Sequence, residues 1–196
     1  MEDFWVHKKG LRADGERVAF GPKHDETGIE LTIPKELTRS VTYRSIPLTV
    51  DLTCSYAEDK LQLVKVEISN YEGFISTREL LQLKLPAVMR SISLEAVGNV
   101  DAFMSYARKR LESPSSLKLN LKVLAQLYWL EAVTWGTPRK TIMEMSGCSR
   151  STANENITSA EKEYALPKER TDTFDPNKTR KIGEDAWLIP DPDSQD

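Results

Sequence analysis

Residues 137–166 read TPRKTIMEMSGCSRSTANENITSAEKEYAL, and this stretch decides what the C-terminal part of the chain is. Thr137 has the character of an N-cap. Pro138 suits the first helical position, where its missing N–H removes no hydrogen bond. Ile142, Met143 and Met145 give the helix apolar positions, and Gly147 ends it with the positive φ that a sharp inter-helix turn needs. Ser149 caps a second helix, which carries Ala153, Ile157, Ala160 and Tyr164 at helical spacing until Pro167 stops it. The pattern predicts a helix-turn-helix. Its second helix would offer Arg150, Ser151, Thr152, Asn154 and Glu155 on exposed early turns, the short polar side chains that hydrogen-bond base edges in a major groove. Arg139 and Lys140 on the first helix, with Ser149 at the turn, complete the set of residues expected to meet DNA.

The run Gly147-Cys148-Ser149-Arg150-Ser151-Thr152-Ala153 resembles the Gly-Val-Ser-Arg-Ser-Thr-Ala turn of small helix-turn-helix DNA-binding proteins of actinobacteria and their phages. Tyr128-Trp129-Leu130 begins the comparable block and Leu166-Pro167 closes it, so the resemblance covers the C-terminal third. It implies binding to double-stranded DNA and a role in transcription regulation. A homodimer would then read a palindromic site with half-sites one helical turn apart. Three features depart from the family pattern. Met143 stands where Ala is usual, Asn156 replaces an apolar residue or Trp, and the second helix carries Glu155, Glu161 and Glu163. These acidic residues define the alternative expectation, a protein-interaction or assembly module, phage-derived or not, whose helical hairpin binds protein rather than DNA.

Charge distribution agrees with the first expectation in sign. The net charge of the chain is −3. Residues 1–100 carry 13 basic and 15 acidic side chains, residues 101–170 carry 11 and 8, and residues 171–196 carry 3 and 7. Only the part containing the motif is positive. That field attracts phosphates weakly, so tight binding at physiological salt calls for paired copies.

Upstream, the period changes to two. Val41 and Tyr43 alternate with Thr42 and Arg44; Leu48, Val50, Leu52 and Cys54 alternate with Thr49, Asp51 and Thr53; and Leu61, Leu63, Val64, Val66 and Ile68 continue the pattern. Such alternation in β-branched residues predicts strands with one buried face, joined by a hairpin at residues 57–60. Shorter strands are expected at 4–7, 17–20 and 28–33, and Pro47 suggests an edge or a bulge. Ser76 and Glu79 have capping-box spacing. Helical turns are then expected at 87–92 and at 100–111, the latter capped by Asn99 and ending in the basic run Arg108-Lys109-Arg110. Ser113-Pro114-Ser115-Ser116 marks a boundary, and 117–135 predicts one long helix ended by Gly136. Its aromatics Tyr128, Trp129 and Trp135 would either fill the core or form a dimer contact.

These readings predict an α+β fold, an N-terminal antiparallel sheet domain followed by a C-terminal all-α helix-turn-helix domain. The expected divisions are 1–83 (β-rich), 84–116 (connecting helices and linker), 117–167 (helix-turn-helix) and 168–196 (an acidic, flexible tail with the apolar island 186–190). The sheet is a further surface for a protein partner. No apolar run is long enough to span a membrane. No signal peptide is visible, and the two cysteines, Cys54 and Cys148, fit free thiols in a reducing cytoplasm. His7 and His24 are the only histidines, no zinc-ligand spacing occurs, and no phosphate-binding loop or nucleophile elbow is present. The expectation is therefore a protein with no catalytic residues, no metal and no cofactor, and not an enzyme.

Overall fold

The computed structural model describes residues 4–6, 15–23, 27–43 and 46–168; within 4–6 only the backbone is described. The architecture is α+β. Strands β1 (Phe4–Val6), β4 (Glu36–Tyr43), β5 (Leu48–Ala57) and β6 (Lys60–Asn70) form an antiparallel sheet in the order β1-β4-β5-β6. Strands β2 (Arg17–Phe20) and β3 (Leu31–Pro34) form a separate hairpin. Among the described residues seven helices follow: α1 (Thr77–Leu81), α2 (Leu85–Ala96), α3 (Val100–Arg110), α4 (Pro114–Leu119), α5 (Leu121–Val133), α6 (Pro138–Ser146) and α7 (Arg150–Glu163).

The period-two reading gives the correct inner face. Leu48, Val50, Leu52 and Cys54 of β5 are buried, while Thr49, Asp51 and Thr53 between them are half-exposed. Glu58 and Asp59 both take positive φ, 52° and 60°, which matches the type I′ turn that a two-residue hairpin between twisted strands requires. Pro47 sits in the bend before β5, outside the strand. The irregularity lies instead on β6, where the register shifts opposite Thr53/Cys54 and leaves Val64 as the extra residue. Arg39 breaks the apolar pattern. It faces inward on β4 with its side chain fully buried and pairs with Glu95 of α2 at 3.0 Å.

Helices α2 and α5 cover the inner face. Cys54 Sγ lies 3.8 Å from Met89 Sδ of α2, and Trp135 Nε1, just past α5, donates to the Leu61 carbonyl of β6 at 3.0 Å. The small hairpin is fastened from the other side. Arg17 donates to the Ala96 carbonyl at 2.7 Å, at the end of α2, and Gln126 of α5 donates to the Ile29 carbonyl at 3.2 Å. One apolar cluster therefore runs from Phe20 through the sheet and helices to Ala160. Among the described residues no helix is long and apolar enough to cross a membrane.

Several boundaries differ from the sequence reading for local reasons. The helical turn expected at 87–92 is the middle of α2, which begins earlier because Pro86 fits its first turn, where no N–H is needed from it. Residues 113–116 are no linker: Ser113 and Ser116 form a capping box with Pro114 in the first turn, and this begins α4. Asn120 separates α4 from α5 where one long helix was expected. Its side chain bonds the carbonyls of Ser116 (2.9 Å) and Arg110 (3.1 Å), an alternative to helix continuation that Asn offers readily. Asn99 takes a left-handed φ of 62° and donates to the Glu30 carbonyl instead of capping α3. Of the expected tail at 168–196, residues 169–196 lie outside the described residues, as do both histidines.

Candidate nucleic-acid interface

Helices α6 and α7 both pack on α5, which is buried along most of its length. The turn between them forms as its residues dictate. Gly147 adopts φ 65° and its N–H donates to the Met143 carbonyl at 2.9 Å, closing α6. The buried Ser146 hydroxyl donates to the Ile142 carbonyl at 2.8 Å. Ser149 then begins α7, its Oγ accepting from the Thr152 N–H at 3.2 Å. The same Oγ lies 2.9 Å from the Ser151 hydroxyl and 3.0 Å from the Thr152 hydroxyl, so three hydroxyls form one small cluster at the start of α7.

Helix α7 turns Ala153, Asn156 and Ala160 inward. Asn156, the polar residue where an apolar one was expected, is 1% exposed, and its amide donates to the Thr152 carbonyl at 2.8 Å. That internal bond lets a polar side chain sit under the helix without an unmet donor. The opposite surface carries Arg150, Ser151, Asn154 and Glu155, all exposed, with Thr152 half-buried beside them. On α6, Lys140 is exposed and pairs at 3.7 Å with Glu144, while Arg139 is half-buried. The predicted residues thus fall into two groups. Arg150, Ser151 and Asn154 share one open surface of α7, whereas Ser149 and Thr152 are engaged in building that helix. Thr137 contributes no side-chain cap to α6.

What holds the start of α6 was not visible as a motif. Glu131, in the last turn of α5, is 1% exposed and accepts from Arg90 Nη2 of α2 at 2.5 Å. Its other oxygen accepts the Thr137 N–H at 3.2 Å, and Arg90 also bonds the hydroxyl and carbonyl of Thr134. One part-buried ion pair therefore joins α2, the end of α5 and the entry to α6. Gly136 is required here by space. A Cβ would overlap the Glu131 carboxylate and come within 2.6 Å of Arg90 Nη1. The left-handed step that ends α5 is taken by Trp135 at φ 61°, not by Gly136. The signal available in the sequence was the acidic residue Glu131 inside an apolar helix, which needs a buried partner.

Comparison with protein-family models, with curated proteins and with solved structures finds no match for this chain. A cleft of about 610 Å³ between α2, α3 and α5 is lined by both signs of charge, including Arg90, Arg108, Glu95, Asp101 and Glu131. Among the described residues no cluster of three His, Cys, Asp or Glu could hold a metal ion. Cys54 and Cys148 are buried and form no disulfide.

Proposed function

We propose that the chain is a sequence-specific double-stranded DNA-binding protein that regulates transcription, with α7 entering the major groove. The observation that carries this reading is the placement of Arg150, Ser151 and Asn154 on the exposed side of a helix whose opposite side is locked onto α5. Arg150 is suited to a guanine edge and Asn154 to adenine, each through two hydrogen bonds. Ser151 and the unpaired N–H groups of the first turn are suited to phosphate oxygens. Lys140 and Arg139 add positive charge at the start of α6.

A second reading has one observation in its favour. Glu155, Glu161 and Glu163 are all exposed on α7, and they repel a phosphate backbone. In that reading the same helix docks on a basic protein surface. The test is selection from a randomised duplex pool by the purified chain at about 150 mM salt, followed by sequencing. Enrichment of one short motif supports the DNA reader. A pool that stays random, with residual binding that disappears as salt rises, removes it and favours the protein-docking helix.

A further inference from the structure

We infer that Glu155 reads a cytosine, its carboxylate accepting from the N4 amino group in the base pair next to the adenine at Asn154. The assignment rests on α7 being the DNA-reading helix, and it gives a role to the acidic side chain that such a helix cannot keep out of the groove. Helix α7 turns Ala153, Asn156 and Ala160 inward. At about 3.6 residues per turn, the direction opposite the middle of that set falls between Ser151 and Thr158, with Asn154 and Glu155 about 50° to either side. Ser151, Asn154, Glu155 and Thr158 are all exposed. Arg150 lies one turn before Asn154, and Ser151 one turn before Glu155, so two rows face outward together.

A helix with its side chains is about 10–12 Å across and the major groove about 12 Å wide, so α7 would fill it from wall to wall. Rotating α7 to take Glu155 off the base edges turns it toward the phosphates of one wall, where like charges meet. Facing the bases, the carboxylate leaves water and needs a donor. It brings none of its own. Ser159 donates to the Glu155 main-chain carbonyl at 2.9 Å, and among the described residues the carboxylate has no hydrogen-bond or ion-pair partner. The groove offers few choices. Guanine presents only acceptors, N7 and O6, and thymine presents O4 and a methyl group. Adenine N6 donates, but N7 beside it turns a lone pair toward the second carboxylate oxygen. Cytosine N4 donates with a C–H beside it on the same base. The rise from Asn154 to Glu155 is about 1.5 Å, against about 3.4 Å between base pairs, which keeps the cytosine adjacent to the adenine. Glu161 and Glu163 carry no such assignment, lying about 9 and 12 Å further along the axis at the end of α7 remote from Arg150.

The test is selection from a randomised duplex pool at about 150 mM salt by the full chain, by E155Q and by E155A, followed by competition of the selected duplex against its single-pair variants. Unchanged far-UV circular dichroism and melting temperature verify the fold. The expected motif of the unmodified protein holds a cytosine next to an adenine, and replacing that C·G pair weakens binding about tenfold or more. E155Q is expected to select adenine there instead, because a carboxamide accepts from N6 and donates to N7 together. E155A is expected to accept all four pairs at that position, to keep the rest of the motif and to bind random duplex more tightly. A motif unchanged in both variants would overturn the assignment and leave α7 as the reader. Tighter binding by both variants with the cytosine still required would also overturn it, reducing Glu155 to a repelling charge. A pool that stays random for the unmodified protein would overturn the DNA-reading proposal and this assignment with it.

Discussion

At the scale of single residues, Arg150 and Tyr56 make separable predictions. Arg150 is exposed and makes no contact that α7 needs, so Arg150→Ala should leave the melting temperature unchanged. If it reads a guanine, the variant should lose about 1–3 kcal/mol of specific affinity in a titration against the selected duplex. Equal affinity would remove Arg150 from the reading surface. Tyr56 predicts a pH response. Burial, assisted by the Asp59 carboxylate, pushes its phenol from 10.0 up to about 12. The unfolded chain therefore releases this proton before the folded chain does. The stabilisation is intact below pH 10 and falls as pH rises from 10 toward 12. Burial also raises the phenol of Tyr43, which acts in the same direction. Denaturant midpoints measured across that range should fall less steeply for Tyr56→Phe than for the unmodified protein.

At the scale of elements, the α6–turn–α7 unit is the part most fully written into consecutive residues. Pro138 at the start of α6, Gly147 at φ 65° and Ser149 as cap all act within four residues of themselves, and all three appear in the roles their chemistry predicts. Ser149→Ala should cost about 1 kcal/mol of stability, since the Thr152 N–H loses its acceptor at the head of a 14-residue helix. Chemical denaturation reads that change; a midpoint within error of the unmodified protein would mean that water replaces the cap. The β5–β6 hairpin was legible as far as its faces and its turn, because alternation fixes the face and a two-residue turn fixes the register beside it, whereas the shift at Val64 was not. Helix α5 was less so. Its apolar residues continue without a break from those of α4, and only the Asn120 side chain, bonding backbone carbonyls ten and four residues earlier, marks the division. Capping patterns were misjudged where polar side chains serve distant partners, as Asn99 does at the Glu30 carbonyl.

At the scale of the whole molecule, sheet and helices share one apolar cluster, with Trp135 bonded to β6 and Arg17 bonded to the end of α2. Calorimetry should accordingly give a single unfolding transition for the segment from β2 to α7. Two separated transitions would show that the sheet and the α5–α7 unit unfold independently. The sequence by itself determined the α+β order, the inner face of the sheet and the exposed polar positions of α7, because each depends on periodicity or on contacts a few residues apart. Only the tertiary structure decided how these parts are joined. The Arg90–Glu131 pair spans 41 positions, and Gly136 matters solely because that pair crosses above it. The position of β6 as the last strand of the sheet among the described residues likewise follows only from strand order. Periodicity marks which residues are to be buried; which partner buries them, and which charge meets which, is fixed only when distant segments of the chain are brought together.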